Sequence, residues 1–416
     1  MTPQKVRISG LFSHSSAENF IKELYLMNLK NIVTAIFTGV LTFSIIPVSV
    51  PAESYSDISG DMNADGVFNI SDAVILQKWL LNDGTEPDDW KAGDFCQDGI
   101  LDVFDLCLMK KELILNNVKG KTIYVSTTEE LRDALKNVES GDIILLSGGE
   151  YEWEQKGTAG SLFMSLAEGT ANAPVTIKSA SKSNPAIIKG KGFSDGVVFY
   201  ITGDYWNIED IVFCDARKGI ILDNSNHTII KNVSVYNIGE EGIHIRDGSS
   251  DCRVIETNVH DCGLLNQDYG EGIYIGSAKS TSGYSYDCND NIVQNCIIGP
   301  NITAECVDIK EYTAGNIIEN CTMYGGGMTA TDSFIDIKGN EATVHNNIFY
   351  DDENTSITDA VQVHCQVDGW GLNNEIYGNT AYLTAETSYF VRSWSGTSCS
   401  VWNNIRNPES DTYMYR

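Results

Sequence analysis

The chain has 416 residues, enough for two or three domains. Its 57 acidic and 28 basic side chains give a formal net charge of -29, which excludes nucleic acid as the natural partner. Strong acidity suits an extracellular, calcium-binding protein, and it makes the few basic side chains informative wherever they cluster.

The N-terminal part reads as a targeting signal. Lys30 precedes an apolar run, residues 31–46, that is too short and too interrupted for a comfortable membrane span. Val50-Pro51-Ala52 has the small-residue pattern of a cleavage site. The expectation is a secretory signal peptide over residues 27–52, with residues 1–26 an upstream extension of the reading frame. An uncleaved N-terminal anchor is the alternative. No other long apolar run exists, so the mature chain is expected to be secreted, without a membrane span, and monomeric.

Residues 54–116 contain one loop twice. The first copy is Asp61-Met62-Asn63-Ala64-Asp65-Gly66, then five residues, then Asp72. The second is Asp94-Phe95-Cys96-Gln97-Asp98-Gly99, then five residues, then Asp105. This is the spacing of an EF-hand calcium loop, with oxygen ligands at positions 1, 3, 5 and 12 and a backbone carbonyl at position 7. The candidate ligands are Asp61, Asn63, Asp65, Val67 and Asp72, then Asp94, Asp98, Ile100 and Asp105. Cys96 stands where the second loop needs an oxygen. Apolar-periodic segments follow each loop, Ala73–Leu81 and Leu106–Ile114, and predict two helices.

The doubled motif resembles a type I dockerin, the module that fixes enzymes to the cohesin domains of a cellulosome scaffold. The resemblance implies two Ca²⁺ ions and a cohesin partner, met by Ile70 and Ser71 in one copy and Val103 and Phe104 in the other. The copies differ at those positions, which argues against two equivalent binding orientations. A calcium-sensor pair unrelated to cellulosomes is the rival.

A short link, residues 117–120, leads to residues 121–416. Thr128–Leu135 reads as a capped amphipathic helix, followed by Gly141–Leu146 and Gly148–Tyr151. This opening resembles the N-terminal cap of right-handed parallel β-helix proteins of the pectate-lyase type. A short strand with alternating apolar residues then recurs eight times, starting at Gly196, Gly219, Gly242, Gly272, Cys306, Phe334, Ala360 and Ser388. A fixed strand at an irregular period marks a solenoid whose loops grow on one side. The expected fold is all-β, a right-handed parallel β-helix with a helical cap, preceded by a small all-α calcium-binding module. A β-propeller is the weaker rival, since its blades need about 40 residues or more.

A second recurring turn carries Asn232, Asn295, Asn320, Asn346, Asn379 and Asn404, read as amides stacked up the solenoid. The 11 cysteines are an odd number, which excludes complete pairing within the chain. Cys296 and Cys321 fall at matching places and suit small core positions; Cys252 and Cys262 could bridge.

The outward residues of the repeated strand change along the solenoid. Val198, Tyr200 and Ile221 come first. His244, Arg246, Asp308, Lys310, Asp336, Lys338, Gln362, His364 and Arg392 follow. Chance decoration would scatter these charges, so they predict a substrate groove, walled by loops 266–271 and 277–289. Lys310 and Lys338 lie one coil apart, about 4.8 Å if the strands stack in register, which is unfavourable unless an anion sits between them. Glu241, Glu271, Glu305 and Asp359 stack just before the strand. Ca²⁺ held by Glu271, Glu305 and Asp308 would relieve them; a solvated ladder of acids is the alternative.

A basic groove on a secreted β-helix suits an acidic polysaccharide. For a uronate, the C5 proton becomes removable once the neighbouring carboxylate is neutralised, and a Lys of lowered pKa can take it. Glu305, Lys310 and a cation one coil later resemble the calcium–lysine–arginine arrangement of the chondroitin and alginate lyases with β-helix folds. The resemblance implies β-elimination of a uronate-containing plant polysaccharide. The second cation here is Lys338, which lacks the bidentate grip of Arg. The expected catalytic set is Lys310, Lys338, His364 and Arg392. His244, Arg246, Tyr274, Asp336, Gln362, Trp370 and Trp394 are expected to bind substrate. A polygalacturonase-like hydrolase using Asp308, Asp336 and Glu305, or a noncatalytic carbohydrate binder, are the alternatives; the signature motifs of pectate lyases and polygalacturonases are absent.

Overall fold

The computed structural model describes residues 59–117, 120–157, 159–353 and 355–416. The expected extension and signal peptide, residues 1–52, lie outside the described residues. Among the described residues no helix is long and apolar enough to cross a membrane. The chain divides between residues 117 and 118 into two compact units.

In the first unit each Asp-rich loop feeds a helix, α1 (Ile70–Leu81) and α2 (Val103–Asn117). Both helices start three residues earlier than the apolar period suggests. The reason is local: Asn69 caps α1 by accepting the Ser71 amide, and Asp72 answers by accepting the Asn69 amide at 2.8 Å. Asn82 ends α1 in the left-handed region, at φ 58°. Met62, Ala73, Leu76 and Trp79 pack with Leu101, Leu106, Met109 and Leu113 into one small core. Ile70, Val103 and Phe104 are exposed at the helix starts, beside Ser71.

The loops are bent for a cation. Asp61 accepts the amides of Asp65 and Gly66, and Asp94 accepts those of Asp98 and Gly99. In the second loop the Cys96 thiol lies 3.8 Å from Asp94 Oδ1. Desolvation pushes its pKa up to about 12, so it keeps its proton and the loop offers one oxygen fewer than the first. The crowded carboxylates lead to an expected outcome: a fragment of residues 54–116 is helical with Ca²⁺ and loses its helical circular dichroism in chelator. Identical spectra would contradict it.

The second unit is a parallel β-helix of three sheets, with eleven, nine and ten strands among the described residues. Each complete coil contributes one strand to each sheet, the coils at the two ends being incomplete, and neighbours in a sheet are successive coils. α3 (Thr128–Asn137) covers the first coil. Thr127 accepts the Glu130 amide and Glu130 reaches back to the Thr127 amide, while Leu131, Ala134 and Leu135 are buried.

All eight strands expected from the repeat lie in the nine-stranded sheet, in chain order, and Ser161–Ser165 adds a ninth at its end. Ile243, Ile273, Val307, Ile309, Ile335, Ile337 and Val361 all point into the core and are buried. Val198, expected to face outward, is buried in the core, whereas Ile221 lies on the outer face as expected and is covered there.

The turn ladder stacks as expected at Asn379 and Asn404 and is offset in the earlier coils. Asn232, Asn295, Asn320 and Asn346 hold left-handed backbone, at φ 51° to 57°, the conformation Asn tolerates best after Gly. In the coils of Asn295, Asn320 and Asn346 the ladder position is the next residue. Cys321 N donates to Asn347 Oδ1, Asn347 to Asn379, and Asn379 to Asn404, at 2.8 to 3.0 Å. Cys296 and Cys321 occupy the same ladder lower down. Cys252 and Cys262 are buried and free, so they form no bridge.

Candidate functional site

One row of side chains crosses the outer face of the nine-stranded sheet. Strand register places Met164, Tyr200, Ile221, His244, Tyr274, Asp308, Asp336, Gln362 and Arg392 side by side, one per coil. Lys310, Lys338, His364 and Trp394 come two residues after their row members, just past the strand ends; their amides bond back to Ile275, Ile309, Ile337 and Val363. Gly276 makes room for this second row. It sits at φ 96°, and a Cβ there would come within 3.0 Å of the Lys310 Cβ and 2.7 Å of Thr313.

Lys310 and Lys338 do flank an anion, and it is the carboxylate of Asp308. Lys310 Nζ lies 2.6 Å from Asp308 Oδ2, and Lys338 Nζ lies 2.7 Å from Asp308 Oδ1. Lys338 also meets Asp336 at 2.7 Å. Burial disfavours its charge, but Asp308 and Asp336 outweigh that and hold its pKa well above the usual lysine value. Lys338 is therefore a buried clamp on two aspartates. Asp336 in turn accepts from His364 Nδ1 at 2.8 Å. Burial raises its pKa, yet Lys338 and His364 hold it well below the usual carboxylate range.

The remaining expected residues fall into separate groups. Arg392 is bidentate on Asp359, at 2.6 and 3.0 Å. Gln362 joins Asp359 to the Trp394 indole. Arg246 is bidentate on Asp223, at 2.6 and 3.0 Å, with Tyr284 stacked on its guanidinium at 4.4 Å. Trp370 packs on Tyr312, which packs on Tyr286 from the 277–289 loop. Tyr274 lies under Lys310, with Nζ 4.8 Å from the ring centre, and edge-on to His244 at 4.3 Å.

The carboxylate ladder is balanced at its ends and not in its middle. Glu241 is held by Lys218 at 2.5 and 2.8 Å, and Asp359 by Arg392. Among the described residues Glu271 and Glu305 have no ion pair, and Glu271 Oε2 is buried without a hydrogen bond. Carboxylate oxygens of Glu271, Glu305 and Asp308 lie within 4.8 Å of one another. Burial, then Asp308, push the Glu305 pKa up to about 7 and the Glu271 pKa well above its usual value. Three crowded acids with an orphaned oxygen are the donor set of a hard divalent cation such as Ca²⁺, so these residues fit one.

The sequence reading missed Arg217 and Lys218, which pair with Glu240 and Glu241. The signal was there: a basic pair and an acidic pair occupy equal places in successive coils, 23 residues apart. It also missed Glu311, buried with one oxygen on the Lys279 amide and the other unpartnered.

The sequence matches the right handed beta helix region family over residues 195–404 and the Dockerin type I domain family over residues 59–114. No curated protein matches. Among solved structures the chain is similar to an alginate lyase from Paenibacillus sp. str. FPU-7, at 41% identity over 71% of this chain and 98% of that one, with a TM-score of 0.68. It is also similar to a rhamnogalacturonan lyase, at 13% identity over 70% of this chain and 89% of that one, with a TM-score of 0.51. That second likeness speaks for the fold alone.

Proposed function

The chain belongs to the right-handed β-helix family and is a polysaccharide lyase joined to a type I dockerin; from that premise we propose that it is secreted, docks to a cohesin, and cleaves an alginate-like uronate polymer by β-elimination. The observation that carries this reading is the placement of Lys310 and Tyr274 beside Asp308 and the unbalanced acids Glu271 and Glu305. The 41% identical alginate lyase supports the substrate class. The dockerin match supports attachment.

In this reading Lys310 is the base and Tyr274 the acid. Lys310, as the free amine, takes the C5 hydrogen of the uronate. The electron pair left behind forms the C4=C5 double bond, and the bond from C4 to the glycosidic oxygen breaks. Burial, with Asp308 and Glu271, raises the Tyr274 pKa far above its usual value, so its hydroxyl keeps a proton to give the departing oxygen. Lys338 holds Asp308 and Asp336 in place and is not free to leave them. Glu271, Glu305 and Asp308 would hold a Ca²⁺ ion, whose charge would neutralise the sugar carboxylate.

The full chain, incubated with polymannuronate, polyguluronate and polygalacturonate, is expected to generate the ultraviolet absorbance of a conjugated double bond on at least one of the first two, and to lose that activity in chelator. New reducing ends without absorbance would establish a hydrolase. No products at all would leave a binding module. Either result overturns the reading.

A further inference from the structure

A cavity of about 500 Å³ opens next to Tyr274, on the side away from Asp308. Its walls come from the coils that carry Arg217, Lys218 and His244, and its roof from the 277–284 segment. Ser285 N bonds Asp247 Oδ1 at 2.8 Å and Tyr284 stacks on Arg246, which fixes that roof.

His244 is the unusual group. It is buried, and its Nε2 lies 2.9 Å from the Gly276 carbonyl oxygen. A carbonyl only accepts, so Nε2 carries the hydrogen. Nδ1 has no hydrogen-bond partner and is 3.8 Å from the nearest carboxylate oxygen, on Glu241. That carboxylate is already held by Lys218. Burial and the neighbouring Arg246 lower the His244 pKa well below its usual value, so the ring is neutral and Nδ1 presents a lone pair. A buried acceptor without a donor is costly, and a ligand hydroxyl would satisfy it. Arg217 adds a second requirement. Its Nε and Nη2 bind Glu240, while Nη1 has no partner among the described residues, and the side chain is half exposed. The pair asks for a sugar with both a hydroxyl and a carboxylate.

We propose that this cavity is the subsite for the uronate residue next to the cleaved bond, with His244 Nδ1 accepting a hydrogen bond from one of its free hydroxyl groups and Arg217 facing its carboxylate. The identity of the ligand rests on the lyase reading; the cavity and its acceptor do not. One consequence concerns substrate modification. An O-acetyl group on that hydroxyl removes the donor, so the subsite selects against acetylated uronate.

The test measures binding without turnover. Full-length Lys310→Ala is titrated calorimetrically with saturated tetramannuronate, native or O-acetylated, and compared with the same chain carrying His244→Phe or His244→Gln. Acetylation is expected to weaken binding about tenfold with His244 present, roughly one hydrogen bond. His244→Phe should weaken native ligand by a similar factor and abolish the penalty for acetylation. His244→Gln, whose amide oxygen can accept, should restore most of the affinity. Equal affinity for native and acetylated ligand with His244 present overturns the proposal, and that arm needs no variant at His244 to fold. An undiminished acetylation penalty in His244→Phe overturns it as well. His244-dependent binding by a protein that makes no unsaturated product would instead retire the lyase reading and leave the subsite standing.

Discussion

Lys310→Ala is expected to cut the rate of unsaturated-product formation by roughly 10²–10⁴-fold, the usual contribution of a positioned base. The fold should survive. Lys310 lies past the end of its strand, and its one ion pair among the described residues is with Asp308, which keeps Lys338 at 2.7 Å. Removing the Lys310 ammonium therefore leaves no buried carboxylate stranded. Melting temperature and oligouronate binding should stay near those of the parent while product absorbance disappears. Near-normal turnover by this variant would remove Lys310 from the chemistry and send the search for the base to another group in the groove.

Ile309→Asp is expected to unfold the second unit. Ile309 is 1% exposed and stacks between Ile275 and Ile337 in the core. The substitution forfeits about 1.5–3 kcal/mol of apolar burial. It also places a charge where no partner can reach it, at a further cost of several kcal/mol. Whole domains are stable by about 5–15 kcal/mol, so a loss of this size consumes much or all of the margin. The measurement is thermal unfolding followed by near-ultraviolet circular dichroism, and a cooperative transition near the parental temperature would refute the assignment of Ile309 to the core.

The strands were legible because alternation is a local property. Ile243, Ile273 and Val307 declare their side of the sheet through their neighbours in sequence alone. The Asp-rich loops were legible for the same reason, since each repeated motif spans only 12 residues. Ion pairs were not. Whether Lys338 serves a substrate or Asp308 depends on side-chain reach across coils, and alternation gives only the face. Arg392 and Arg246 illustrate this. Both lie on the expected face, and both are bidentate on aspartates of their own scaffold. The turn ladder was right at Asn379 and Asn404 and off by one residue in the coils before them. Left-handed backbone and stacked amides both favour Asn, so Asn346 and Asn347 look alike in sequence while one bends the chain and the other bonds up the stack. The Lys218–Glu241 pair was recoverable by comparing equal places in successive coils.

The row of outward side chains, one per coil, separates two kinds of change that are coupled in most folds. Within a strand, a one-residue slip would send the outward side chains beyond it toward the core, so strand register is held fixed. Between strands the chain is free to lengthen, and the run from Ile275 to Ile292, which carries the roof over His244, does so without altering the pairing of the strands on either side. Loop length is thus a dial that can be turned without disturbing the bearing on which it is mounted. Lineages of such a solenoid are free to alter which sugars they admit by editing corners, while the reacting groups stay where the sheet holds them.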